Sequence, residues 1–262
     1  MSFRALVVRA AGTNCDGETV AALEDAGAAV DRLHVNHIAG SPQLLDDYQM
    51  LVFPGGFTFG DDVASGAVLA HTVRQRLMEP VQRFVESGRR VLGVCNGFQA
   101  LVRLGLLPGN DNGRASLLPN LSGRFEDRWV RLRAGAGAAP WLEPGQEYLI
   151  PVAHAEGRFQ FFGADGAACD FPEQRIAVQY VGDSTPTPYP QNPNGSQQDI
   201  AGITNEAGNV LGLMPHPERF LAPVQHPHWT RFRGADGAPP REQDLPVPLG
   251  VELYRRAVRT AL

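Results

Sequence analysis

Arg90-Val91-Leu92-Gly93-Val94-Cys95-Asn96-Gly97-Phe98-Gln99 reads as an apolar strand that breaks at a Gly-x-Cys-x-Gly turn and continues as a helix. Glycines two before and two after the cysteine permit a sharp bend that pushes the side chain out of the turn, the geometry of a nucleophile elbow. A thiol placed there sits at a helix N-terminus, where the dipole and free backbone N–H groups favour its thiolate. The same string also fits a buried structural cysteine between strand and helix, since cysteine is among the most buried residue types. What the rest of the chain brings to the same place decides between the two.

Towards the N-terminus, strand and helix signals alternate. Residues 4–9, 29–35 and 49–53 are strand-like, and Pro54-Gly55-Gly56 stops the third of these. Asp16 caps a helix over residues 18–26, with Val20, Leu23 and Ala26 on one face and Gly27 as terminator. A short helix over 43–47, a longer one over 66–77, and another that opens near Pro80 and ends before Gly88 complete the pattern. This β-α-β rhythm predicts an α/β fold, a mostly parallel sheet covered by helices on both faces. Downstream, residues 129–133, 148–152, 176–181 and 200–204 predict an antiparallel extension of that sheet. A late strand over 209–213 runs into Met214-Pro215-His216-Pro217-Glu218-Arg219, and a helix over about 250–261 closes the chain. With no repeat and no linker, residues 1–262 read as a single domain. Two Pro- and Gly-rich loops, 183–198 and 225–248, exceed the usual ~4–6 residues and point to function or partner contact.

Composition removes several classes of function. No apolar run approaches the roughly 18 residues of a membrane span, and the N-terminus reads as a first strand rather than a secretion signal, so a cytoplasmic protein is expected. Three cysteines, Cys15, Cys95 and Cys169, fit neither a disulfide framework nor a zinc motif. A net charge of −5 gives no basic footprint for nucleic acid. All 23 basic residues are arginine, which excludes a Walker A phosphate loop and Schiff-base chemistry, both of which need lysine.

In open α/β sheets, ligands gather at the carboxyl ends of the strands. Four strand ends carry unusual residues here: Gly12-Thr13-Asn14-Cys15-Asp16, Pro54-Gly55-Gly56-Phe57, Cys95, and His216-Pro217-Glu218. All four are expected to open on one side of the sheet. A thiol nucleophile needs a base and a group that orients the base. His216 and Glu218 lie two apart, so in an extended segment they point the same way and the carboxylate can hold the imidazole. Attack on a carbonyl creates an oxyanion, and its donors are expected at the backbone N–H groups of Gly56 and Asn96. Cys15 reads as a structural residue near the mouth of the site with no base beside it, and Cys169 as a cysteine of a turn-like stretch with no activating environment.

These residues together resemble the class I, triad-type glutamine amidotransferases, and within them the glutaminase subunits of phosphoribosylformylglycinamidine synthase. The strings that carry the resemblance are Gly12-Thr13-Asn14-Cys15-Asp16, Phe53 to Asp61, Gly93 to Gln99, His154-Ala155-Glu156-Gly157-Arg158-Phe159, Asn192-Pro193-Asn194-Gly195-Ser196 and Met214 to Arg219. They span nearly the whole chain in the family's order. The resemblance implies a flavodoxin-like three-layer fold and a glutaminase in which Cys95 attacks the glutamine amide and His216, oriented by Glu218, moves the protons. It places Gly55, Phe57, Gln99, His154 and Glu156 near the substrate. It implies no metal and no cofactor in this chain. ATP and magnesium belong to a synthetase subunit that takes the ammonia to make formylglycinamidine ribonucleotide in purine biosynthesis, with a small third subunit as a possible further partner. Two positions depart from the pattern: Ala10-Ala11 where the family often has Phe-Pro, and Ala155 where it usually has glycine. A stand-alone cysteine hydrolase or peptidase, and a non-catalytic regulatory module, are the alternatives. The first generally lacks the late His-Pro-Glu and the Pro-Gly-Gly turn, and the intact Cys, His and Glu argue against the second.

Overall fold

A computed structural model describes residues 2–109, 113–231 and 248–259. Its strands are β1 (Arg4–Arg9), β2 (Ala29–His34), β3 (Met50–Phe53), β4 (Arg90–Val94), β5 (Gly113–Pro119), β6 (Glu126–Ala134), β7 (Glu147–His154), β8 (Glu156–Gly163), β9 (Ile176–Tyr180), β10 (Ile200–Thr204) and β11 (Val210–Leu213). Nine of them form one sheet in the order β2-β1-β3-β4-β11-β10-β9-β6-β7. From β2 to β11 every pairing is parallel; from β11 to β7 every pairing is antiparallel. β3, β4 and β11 are buried at every position, as parallel strands covered on both faces must be. β2, at the edge, has no fully buried residue.

Among the described residues six α-helices accompany the sheet: α1 (Asp16–Asp25), α2 (Val35–Gly40), α3 (Ala67–Arg76), α4 (Met78–Glu86), α5 (Asn96–Leu104) and α6 (Leu249–Arg259). α1 packs against α6 and α3 against α5. The expected α/β architecture, a mostly parallel sheet with an antiparallel extension, is therefore present. Among the described residues no helix is long and apolar enough to cross a membrane.

The structure differs from the sequence reading in four places. Helix α1 starts at Asp16 itself, with Cys15 at the N-cap position, so Asp16 lies in the first turn rather than capping it. Strand β2 stops at His34, whose ring nitrogen accepts the Asn36 N–H at 3.2 Å and starts the short helix α2. A second sheet, β5 paired antiparallel with β8, lies outside the main one. Gly157, Phe159 and Phe161 of β8 are buried in alternation with Arg158 and Gln160, and both phenylalanines pack edge-on against Phe171. Finally, the closing helix is α6, Leu249–Arg259; residues 232–247 of the second long loop, and the end of the chain after residue 259, lie outside the described residues.

The loop over 183–198 is held by amides. Asn192 Oδ1 accepts the N–H groups of Asn194, Gly195 and Ser196, while its Nδ2 donates to Asp199 Oδ1 at 2.9 Å. Asn194 is fully buried and donates to Gly157 O (2.9 Å) and Tyr180 Oη (3.1 Å). One loop thus grips β8 and β9 at once.

Candidate active site

β1, β3, β4 and β11 are neighbours and parallel, so their carboxyl ends open on one edge of the sheet. The elbow sits in the middle of that edge. Val94 pairs with Leu213, and the Cys95 N–H donates to Leu213 O at 2.8 Å. Cys95 has φ 49° and ψ −105°. A non-glycine residue there is strained and persists only where its surroundings impose it. Gly97 explains one half of the elbow: a Cβ there would collide with the Phe53 carbonyl, so glycine lets the start of α5 close on the end of β3. The Cys95 thiol is buried, with Sγ 3.6 Å from Ala153 O.

His216 follows β11 and is anchored by its N–H to Pro151 O at 2.9 Å. Its Nδ1 lies 2.7 Å from Glu218 Oε1, both side chains being buried. This pairing arises from a single 3-10 turn, Pro217–Arg219, rather than from the extended segment that the sequence suggests. A carboxylate only accepts, so Nδ1 carries a proton in either charge state and Nε2 is the nitrogen left to exchange one. Nε2 has no hydrogen-bond partner of normal geometry among the described residues. Burial opposes charge on His216, but the Glu218 carboxylate, helped by the nearby Cys95 and Cys15 thiols, outweighs it and holds the imidazolium well above its ordinary pKa. The chemistry available is a thiol nucleophile beside an oriented, basic imidazole.

The Pro54-Gly55-Gly56 turn lies against this pair. Gly55 O accepts the N–H groups of Asn14 (3.4 Å) and Cys15 (3.2 Å), and the Phe57 N–H donates to Gly12 O (2.9 Å). Gly56 has φ +146°, and a Cβ on it would lie 2.8 Å from both Asn14 N and Gly12 O. Only glycine fits there. A Cβ on Gly55 would lie 2.8 Å from His216 Cε1. Asn96, the first residue of α5, has a backbone N–H with no intrahelical acceptor. Its side chain locks the following turn: Oδ1 accepts from Thr58 N (3.2 Å) and Thr58 Oγ1 (2.6 Å), and Nδ2 donates to Asp61 Oδ1 (2.9 Å) and Gln99 Oε1 (3.1 Å).

The remaining sequence-derived residues lie around this centre in different ways. Gln99 spends its amide on the protein, accepting from Asn96 and donating to Glu156 O at 2.5 Å, so it clamps β8 to α5. Glu156 takes part through that carbonyl. His154 is buried; its Nδ1 bonds Asn120 Oδ1 at 3.1 Å, and burial, reinforced by His216, pushes its pKa down to about 3. Phe57 is exposed and packs on the exposed Phe125, ring centroids 6.3 Å apart. Ala155 is exposed, and its carbonyl accepts the Asn120 N–H at 2.9 Å, so the methyl that replaces the family's glycine meets no obstacle. A cleft of about 720 Å³ between α3, α5 and β5 reaches Gln99 but includes neither Cys95 nor His216.

The family model for CobB/CobQ-like glutamine amidotransferase domains matches residues 2–259. Phosphoribosylformylglycinamidine synthase subunit PurQ of Dehalococcoides mccartyi is 43% identical over 232 residues, covering 86% of this chain and 89% of the relative. The PurQ subunit of Methanococcus maripaludis is 37% identical over 234 residues, covering 86% and 85%. This chain is a PurQ-family glutamine amidotransferase. The structure of PurLQS from Thermotoga maritima matches with a TM-score of 0.73 at 30% identity, over 100% of both chains. A second glutamine amidotransferase of the same organism, at 15% identity and a TM-score of 0.53, shares the fold.

One residue of this amidotransferase departs from its sequence reading. Cys15 is fully buried, not at the mouth, and the His216 imidazole lies beside it. Its Sγ lies 3.8 Å from His216 Nδ1, accepts from Arg219 Nη2 at 3.2 Å and lies 3.1 Å from Asn14 Oδ1. Burial raises its pKa, against the pull of His216 and Arg219, so it stays a neutral thiol near pH 7. Cys15, His216 and Glu218 present donor atoms within 4.8 Å of one another. A cation fits poorly there, because Glu218 already holds the Nδ1 proton and Arg219 sets positive charge against the sulfur. Sequence reasoning also missed Tyr180, a buried hydroxyl near Cys95 that accepts from Asn194. No local signal marks it; it is one aromatic position of an ordinary strand.

Proposed function

We propose that this chain hydrolyses glutamine through Cys95, His216 and Glu218 and delivers the ammonia to a synthetase subunit that makes formylglycinamidine ribonucleotide. The observation that carries the reading is the imidazole itself: Nδ1 is tied to a buried carboxylate at 2.7 Å and Nε2 is left unpartnered beside a cysteine held in a strained elbow. His216 takes the Cys95 proton, and the thiolate attacks the side-chain carbonyl of glutamine. The oxyanion is met by the N–H groups of Gly56 and Asn96. His216 then protonates the leaving nitrogen, ammonia departs, and a γ-glutamyl thioester remains on Cys95. Water, deprotonated by His216, cleaves the thioester to glutamate. Ammonia released to bulk water is largely protonated and no longer nucleophilic, so the partner must receive it through a protected path. The synthetase supplies ATP and magnesium; none of the steps above requires a metal on this chain. The PurL and PurS components named in the Thermotoga maritima complex are the model for the two partners.

In the complex with its synthetase, Cys95→Ala is expected to abolish glutamine-dependent synthesis, by about 10³-fold or more, while added ammonium still supports the reaction. Loss of both activities would count against the assignment.

A further inference from the structure

Helix α6 lies directly on the turn that carries the imidazole and its carboxylate. A Cβ at Gly250 would collide with the Pro217 carbonyl and lie 2.8 Å from Phe220 O. Tyr254 stands one turn along on the same buried face and is itself fully buried. Its phenol reaches the surroundings of Glu218, Thr19 and Cys15, yet Oη makes no hydrogen bond of normal geometry among the described residues. Glu218 shows the complementary deficit. Oε1 holds His216, whereas Oε2, fully buried, has no donor of normal geometry among the described residues. A buried donor and a buried charged acceptor each carry a desolvation penalty when unpaired. Two other polar neighbours already make bonds, although the Thr19 hydroxyl can still accept one from the phenol. Thr19 Oγ1 donates to Cys15 O at 2.7 Å, and Arg219 is turned to Cys15 Sγ at 3.2 Å.

We propose that Tyr254 is a positioning residue for the triad: its O–H donates to Glu218 Oε2, directly or through one buried water, and fixes the carboxylate against His216. The inference rests on the glutaminase reading above. It makes the last helix of the chain part of the catalytic assembly, from a position that no sequence motif marks. Removing the phenol oxygen concentrates negative charge on the rest of the carboxylate, so the His216–Glu218 pair holds its proton more tightly and titrates at higher pH. Cys95, Cys15, Arg219 and His154 also face this pair, and Tyr254→Phe leaves all four in place.

The test uses Tyr254→Phe in the full chain with its synthetase. The glutamine kcat/KM is expected to fall about tenfold, as for loss of a hydrogen bond to a charged group, with the loss in kcat and KM changed less than about twofold. The acid limb of the kcat/KM profile should move to higher pH by several tenths of a unit. Ammonium-dependent synthesis and the thermal midpoint should stay as in the wild type. In a Glu218→Gln background the same substitution should have little further effect. An unchanged profile, or a loss that is additive with Glu218→Gln and leaves the acid limb in place, overturns the proposal. If the wild-type complex itself forms no glutamate, the glutaminase reading fails instead.

Discussion

The parallel and antiparallel halves of the sheet do different work around Cys95. β4 and β11 carry Cys95 and His216, the proposed nucleophile and base, just beyond their buried ends: β4 breaks at the strained Cys95, and β11 runs into the 3-10 turn Pro217–Arg219. β6, β7 and β9 carry no triad residue. They wall the site with Ala153, His154 and Tyr180, and buried amides at Asn120, Asn192 and Asn194 hold that wall together. In the first half, position is set by ladder register and close packing; in the second, by side-chain hydrogen bonds to the backbone. Substitutions in the two halves are therefore expected to damage different properties.

The sharpest test lies where the parallel half uses an amide of its own. Asn96→Ala keeps the backbone N–H at the start of α5 but releases Thr58 and Asp61 from the turn beside Gly56. A displacement of the oxyanion donors by about 1 Å is expected to cost about 10²-fold in glutamine kcat/KM, measured with the synthetase present. An effect below about threefold would show that the turn holds itself. In the other half, Asn194→Ala removes the bonds to Gly157 and Tyr180. It should destabilise the fold by about 2 kcal/mol in urea titrations, with a much smaller change in kcat/KM than Asn96→Ala. If the ranking of the two variants reverses, the division between the halves is wrong.

A smaller effect concerns acid. His154 stays neutral in the folded protein down to about pH 3, because it is buried and lies near His216. The unfolded chain takes up a proton on this side chain near pH 6.5, so its contribution to stability is present above that value and is lost as the pH falls from 6.5 towards 3. Between pH 6.5 and 5.5 the wild type should lose about 1 kcal/mol more than His154→Gln, read from denaturant midpoints. Equal losses would mean that His154 protonates in place.

Much of this architecture is legible in the sequence, for reasons that differ by element. The strands β1, β3, β4 and β11 of the parallel half end close to glycine, proline or cysteine turns, and the β-α-β rhythm of the first three marks the sheet as parallel. The proposed triad is legible because Cys95, His216 and Glu218 each stand at such a break. β8 is harder to see: it continues from β7 across Ala155 alone, so one extended run hides two strands in two sheets. Its alternation of Gly157, Phe159 and Phe161 with Arg158 and Gln160 was the available signal. Cys15 and Tyr254 are not legible at all. Their roles depend on which buried atoms of other elements they face, and no local pattern records that.

The chain leaves the parallel sheet after α5 and returns as β11, hydrogen-bonded to the same β4 it left. Everything over 105–209 is thus an excursion that begins and ends at one hydrogen-bonded seam. Length changes in its loops, away from the Pro151 and Ala153 carbonyls that touch His216 and Cys95, can enlarge or shrink the wall while the β4–β11 register stays as it is. The same seam means that a fragment ending before β11 holds the elbow but neither His216 nor Glu218, so the proposed triad is complete only once the chain has returned to β4.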